Sequence, residues 1–470
     1  MILKKTIDSN NCTPELIYEL GRRYYEGINE GKNYELAIEY FEKAANQGNS
    51  KAKLKLGICM YYGRGMEKDY EKAYNYFEQL VEKYNNKKAK YFIGRMYYYG
   101  HHFDCDYKKA FEIFNELANE DDKDAKFYLG EMYYFGKYVA KDNKKAYEIF
   151  NDLVEKYDDK DAKGYIGQMY YLGHYVEKDY EKAYEIFNDL VEKYDNKDAK
   201  FYLGEMYYKG YYLERNYEKA YKIFQELVEK YNDMDSKYFI GEMYYYGYYL
   251  DKDIDKAIEI FEFLLKEYKC KKAIRMLLYE YYWGEKCNYE KAYNIAIEFI
   301  DQDETYKTKE ILADMYFHGN YVKQDYKKSF EYAKDIEEQY NVVLNFPYLA
   351  WMYYYGNGTE QNYELAFNEF KKHAEKNEWD SVSQLMLGYA YLHGDGIATD
   401  DSKAIYWFEK SALNVNTDAQ YMLGKIYYYA EEVNVKVNKD TEYALQLLEK
   451  SANAGYEKAI KELEKIRKSH

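Results

Sequence analysis

The sequence predicts an all-α protein: a right-handed α-solenoid of about twelve helix-turn-helix repeats of ~37 residues. Three observations carry this. A string such as LGEMYYFG (129 to 136) returns along the chain at nearly constant spacing, and a second string, of the type DYEKAYEIF, follows each copy in register. The 470 residues include only 2 prolines and 27 glycines, but 69 tyrosines. Without Pro/Gly-rich linkers, the strings must belong to regular elements that follow one another directly.

The first string occurs as LGICMYYG, IGRMYYYG, LGEMYYFG, IGQMYYLG, LGEMYYKG and IGEMYYYG between residues 56 and 247, with weaker copies on both sides. Its second residue anchors the repeat: Gly21, Gly57, Gly94, Gly130, Gly167, Gly204, Gly241, Leu278, Ala313, Ala350, Gly388 and Gly424. An alanine follows sixteen residues after most anchors, as at Ala73, Ala110 and Ala146; Ser329 takes the place once, and Ala292 and Ala444 are displaced by altered connections. Each unit thus reads as two helices. The first stops at the Gly of MYYxG, suited to a left-handed C-terminus. The second starts after Asp or Asn, as at Asp69, Asp179, Asn216 and Asp325, which suit N-caps. No single unit buries enough apolar surface alone, so neighbouring repeats must complete its core. Residues 146–163 recur at 183–200 with one change, Asp159 to Asn196, which points to duplication.

Ala125, Leu129, Gly130, Tyr133, Gly136, Asp142, Lys145, Ala146 and Phe150 follow in order the pattern of a known family, and the match recurs over nearly all of residues 14–465. The chain resembles the Sel-one-like repeat (SLR) family, relatives of the tetratricopeptide repeat (TPR). The resemblance implies a non-enzymatic adaptor that binds other proteins. The near-identical repeats suggest a second role, a self-assembling structural protein, and the resemblance a third, a hydrolase like the cysteine-rich, β-lactamase-like members. Those members carry a regular cysteine pair in each repeat, which this chain lacks. The departures are local. The second loop glycine is kept at Gly65, Gly358 and Gly396, but Tyr138, Tyr175, Tyr212, Tyr249 and Tyr321 replace it elsewhere, so those loops are expected to find another turn. One solenoid is expected over 1–470: regular repeats over about 14–270, irregular repeats with a bend over about 271–350, where Pro347 falls, and regular repeats with a charged capping helix over about 351–470.

A helical residue turns about 100°, so positions one, four and five after the anchor share the arc opposite the core. Position four is nearly always tyrosine: Tyr98, Tyr134, Tyr171, Tyr208, Tyr245 and Tyr282 in the middle repeats. Position one holds Glu131, Gln168, Glu205 and Glu242. These ten residues are expected to form an exposed concave wall that binds a protein or peptide, since tyrosine offers a large contact area at low entropy cost. The glutamates favour a basic or amphipathic ligand.

Other chemistry finds little support. The net charge is −16, and lysines alternate with glutamates, so a nucleic-acid groove is not expected. Mean hydropathy is −0.82, and no apolar run is long enough for membrane insertion. P-loop, HExxH, GxSxG, Rossmann and paired CxxC motifs are missing; neither catalysis nor a cofactor is expected. His101, His102, Asp104 and Cys105 share one loop but lack a second ligand cluster at zinc spacing, so no metal is assigned. The five cysteines, Cys12, Cys59, Cys105, Cys270 and Cys287, show no pairing pattern. With no leader-like apolar stretch at the start, they suggest a cytoplasmic location, delivery into a host by a non-classical route being left open.

Overall fold

The structure is a computed structural model that describes residues 13–28, 31–301, 306–344, 346–430 and 437–469. Cys12 lies outside the described residues. Among those residues are 25 helices and no strand: twelve successive pairs, from Pro14–Glu26 with Tyr34–Asn46 to Thr417–Tyr428 with Thr441–Asn453, and a last helix Glu457–Ser469. The first helix of each pair is termed A and the second B. The expected helix-turn-helix repeat is therefore present throughout. The chain divides into two compact units, Met1–Ser236 and Lys237–His470.

Caps define the pairs. Every B helix begins after an Asp or Asn whose side chain accepts a backbone N–H of the first turn; Asp142, for example, accepts from Lys145 at 3.0 Å. Such a cap contributes about 1 kcal/mol. Most A helices are capped likewise, as by Asp122 on Ala125 at 2.9 Å. Three are not: Cys270, Tyr306 and Pro347 precede their helices without a side-chain cap bond. These are the repeats anchored at Leu278, Ala313 and Ala350, whose sequence match is weakest. Asn86 and Asp122 occupy the corresponding places in regular repeats.

The anchor glycine has a steric cause. A Cβ on Gly130 would fall 2.6 Å from Cε1 of Phe150, and one on Gly94, Gly167 or Gly204 would meet Phe114, Phe187 or Phe224 at 2.7 to 2.8 Å. Each phenylalanine comes from the B helix of the same repeat and is fully buried. The A helix therefore offers bare backbone to a ring, and the pair closes at short range. At two of the three changed anchors the buried partner changes too, while Ala350 keeps Phe370. Leu278 goes with Ala296, and Ala313 with Ala333, all of them buried. In the Leu278 repeat the volume lost from helix B is supplied by helix A, as close packing requires.

The substituted loops do not find another turn. Tyr138, Tyr175, Tyr212, Tyr249 and Tyr321 take φ of 63 to 68°, the left-handed conformation also used by Gly65, Gly358 and Gly396. A non-glycine residue there costs about 1–2 kcal/mol. Ring contacts offset part of it: Tyr138 lies 5.6 Å from Phe111, and Tyr175 5.6 Å from Tyr147, both on the B helix of the preceding repeat. At Gly396 a Cβ would lie 2.2 Å from the carbonyl oxygen of Tyr363, so this loop admits only glycine. The C-terminal helix buries Ala459, Leu463 and Ile466, its charged residues lying on the remaining face.

Candidate functional site on the A helices

The structure corrects the expected wall of position-four tyrosines. Tyr98, Tyr134, Tyr171 and Tyr282 are only 3 to 5% exposed, while Tyr208 and Tyr245 are half-buried. The cause is the seam between repeats. Tyr98 packs on Tyr128 of the next A helix at 5.1 Å, Tyr134 on Tyr165 at 5.4 Å, and Tyr171 on Tyr202 at 5.3 Å. These rings are inter-repeat mortar, and their faces are not open to a ligand.

One residue further, side chains emerge. Position five holds Tyr62, Tyr99, Phe135 and Leu172 in the first unit, and Tyr246, Trp283 and Tyr355 in the second, all 36 to 59% exposed. A turn of about 100° separates them from position four and brings them to the edge of the seam, where Tyr99 Oη lies 3.2 Å from Tyr128 Oη and Phe135 6.2 Å from Tyr165. The signal was in the sequence: the final aromatic of MYYY and MYYF lies beside the tyrosine chosen.

Position one is also drawn into the seams. Glu131 accepts hydrogen bonds from Tyr165 at 2.7 Å and from Tyr98 at 3.3 Å, linking three successive repeats. Burial pushes its carboxyl above the usual carboxylate range, against the lowering effect of both hydroxyls. Asp314 holds the same position in the second unit and accepts from Tyr282 and Tyr348. Glu242 accepts from Tyr238 at 2.8 Å, and Glu205 pairs with Lys209 of its own helix. Burial and the facing carboxylates push the hydroxyls of Tyr98, Tyr165 and Tyr348 upward, so they remain proton donors. Gln168 lines a surface cavity with Glu131.

Sequence reasoning missed Glu280, which stands where regular repeats bury methionine and is only 1% exposed. It accepts from Tyr245 Oη at 2.7 Å and from the backbone N–H of Lys286 at 2.6 Å. The connection here is shortened, and Gly284 leaves the helix in extended backbone instead of the left-handed turn. In the loop of His101, the imidazole stacks on Tyr70 at 4.4 Å, with Nδ1 2.9 Å from Tyr61 Oη. His174 repeats that contact on Tyr134 at 3.1 Å. Among the described residues no helix is long and apolar enough to cross a membrane.

This geometry, capped A/B helix pairs closed by Gly–Phe contacts, defines a class of helical-repeat protein. The Sel1 repeat model matches residues 14–49, 50–85, 87–122, 123–151, 161–188, 197–230, 235–263, 311–334, 348–376, 381–416 and 417–456. The chain belongs to the Sel1 repeat family. The helix pair Lys271–Trp283 and Tyr289–Phe299 is outside these matches and carries the shortened loop and Leu278. The chain is 33% identical over 96 residues to the Sel1-repeat-containing protein YjcO of Escherichia coli K12, a stretch covering 20% of this chain and 41% of that protein. It is similar in fold to c5321, a protective antigen of uropathogenic Escherichia coli displaying an SLR fold. The identity is 21%, with coverage of 99% and 90% of the two chains and a TM-score of 0.49. A Sel1 repeat protein from Oxalobacter formigenes matches at 26% identity over 47% of this chain and 88% of that one, with a TM-score of 0.38.

Proposed function

We propose that the protein is a non-catalytic scaffold that holds a segment of another protein against the exposed face of its A helices. The observation that carries this is the row of large apolar side chains at position five, unbroken over four consecutive repeats as Tyr62, Tyr99, Phe135 and Leu172 and interrupted further on by Lys209 and His318. Its members touch the next repeat only at the edge of the seam, as where Tyr99 Oη lies 3.2 Å from Tyr128 Oη, and keep 36 to 59% of their surface in water. Apolar side chains held in water at regular spacing are characteristic of protein-binding surfaces. Half-buried carboxylates at position one and Asp161 and Asp198 beside them favour a basic or amphipathic segment. The ten residues first chosen enter the proposal differently: the glutamates and Gln168 border the surface, and the tyrosines keep its repeats in register.

The test compares affinity capture by the wild-type chain and by a Tyr99→Ser/Phe135→Ser/Leu172→Ser variant with unchanged circular dichroism. Loss of a specific partner from the variant is the expected result. Equal retention would overturn the assignment. A wild-type dimer dissociated by the variant in light scattering would assign the row to self-association instead.

A further inference from the structure

Three residues before the anchor, the repeats around the fifth carry a ring: Tyr91, Phe127, Phe201 and Tyr238. The fifth repeat has Gly164, and it is the only one of the twelve with glycine there. This is a point of divergence between duplicated units, because Gly164 and Phe201 directly follow the near-identical segments 146–163 and 183–200. In the fourth repeat Phe127 packs on Phe150 at 5.9 Å and on Tyr165 at 5.8 Å. The equivalent partners of residue 164 are Phe187 and Tyr202, which stack on each other at 4.8 Å. No ring lies over them from position 164; this helix reaches them only through Tyr171, 5.3 Å from Tyr202 and 6.4 Å from Phe187. A Cβ on Gly164 would meet one atom, Leu190 Cδ1 at 3.9 Å. A cavity of about 210 Å³ occupies the place, with Phe127, Tyr165, Phe187 and Tyr202 among its walls.

Its polar lining is acidic. Asp161 and Asp198 stand at the mouth with Glu131 and Gln168 further along the same helical faces. Among the described residues Asp161 and Asp198 form no ion pair, although Asp124, their counterpart one repeat earlier, is paired with Lys88 at 2.5 Å. Partial burial and the neighbouring Asp159 push the Asp161 carboxyl upward, with Lys160 opposing. Lys160 also borders the cavity, but its ammonium lies 5.8 Å from the ring centre of Tyr194. On the helical wheel Asp161 and Leu172 are eleven residues apart, about three turns, which places the mouth in line with the exposed row.

We propose that this cavity is a binding site for an arginine side chain of the partner segment. A guanidinium stacks on aromatic faces and is flat enough for the space a phenyl ring vacates, while its charge meets the carboxylates at the mouth. The site rests on the reading of the A-helix face as the docking surface, and it names one residue type that the surface selects.

The probe is the blocked tripeptide acetyl-Gly-Arg-Gly-amide, titrated by NMR against the full chain, with Lys, Phe and Glu tripeptides as comparisons. The expected order is Arg, then Lys, with Phe and Glu weakest. Gly164→Phe restores the ring of the neighbouring repeats, so its melting temperature should equal or exceed that of the wild type while affinity for the Arg peptide falls about tenfold or more. Asp161→Asn/Asp198→Asn should weaken binding several-fold with less salt dependence. Unchanged Arg affinity in Gly164→Phe, or a Phe peptide binding as well as Arg, would overturn the proposal. Failure of this site alone is distinguishable: a protein partner would then be lost from the Tyr99/Phe135/Leu172 variant and retained by Gly164→Phe. Arg binding at the cavity, with the same partner kept by the row variant, would instead sink the row.

Discussion

If a repeat closes because glycine on helix A meets phenylalanine on helix B, moving the volume across the pair should be tolerated and adding it should not. At Gly130 a new Cβ would lie 2.6, 2.9 and 3.0 Å from Cε1, Cζ and Cδ1 of Phe150, a fully buried ring. Carbon atoms prefer about 3.5–4.0 Å, so ring or helix must move by roughly 1 Å. Gly130→Ala gains about 1 kcal/mol of helix propensity and loses about 1–3 to overpacking, a net cost of about 0–2 kcal/mol. Gly130→Leu should cost about 3 kcal/mol, at the upper end for overpacking, and Phe150→Ala about 3–5 kcal/mol for the cavity it leaves. Repeat eight already shows the exchanged arrangement in Leu278 and Ala296. The Gly130→Leu/Phe150→Ala chain should therefore cost about 3 kcal/mol less than the sum of the single changes, a strong coupling for one contact. Urea unfolding followed by circular dichroism gives the total. Hydrogen exchange within helix Lys123–Phe135 gives the local value, which a repeat array requires because it need not unfold in one step. Additivity within about 0.5 kcal/mol would refute the reasoning, as would a Gly130→Leu chain as stable as the wild type.

Other outcomes follow from single sites. Burial pushes His373 down to about 4, with Asp380 opposing and Lys376 and Lys372 assisting. The unfolded chain therefore binds the extra proton first, and stability of the second unit should fall by about 3 kcal/mol as pH drops from about 6.5 to 4; thermal melts of wild type and His373→Leu across that window check this, the variant being flatter. Gly396→Ala should cost more than about 2 kcal/mol, because left-handed strain adds to a clash with the Tyr363 carbonyl. Tyr138→Gly should stay within about 1 kcal/mol of wild type, relief of that strain opposing the lost ring contact; denaturant midpoints of the two variants decide it. Glu280→Ala strands the Tyr245 hydroxyl and the Lys286 amide and should cost about 3 kcal/mol, while Glu280→Gln keeps an acceptor and should cost about 1 kcal/mol, read as melting temperatures.

The sequence by itself determined the repeat, its period, the two helices of each unit and most of their ends. Those features are local: an Asp or Asn cap, a glycine stop and an apolar face at helical spacing act over a few residues, and twelve copies reinforce one signal. The weak repeats were legible too, from the changed anchors Leu278, Ala313 and Ala350 and from Pro347, although their missing caps came only with the structure. Only the tertiary structure decided which of two adjacent aromatic positions faces solvent. A helical wheel places Tyr98 and Tyr99 on one arc, but the next repeat buries Tyr98 and meets Tyr99 only at its edge, through Tyr128, leaving it 46% exposed. The loop tyrosines and Gly164 make the same point. Their backbone conformation and the space beside them depend on rings contributed by other repeats, such as Phe111 beneath Tyr138 and Tyr202 beside Gly164, and no spacing rule within one unit contains that information.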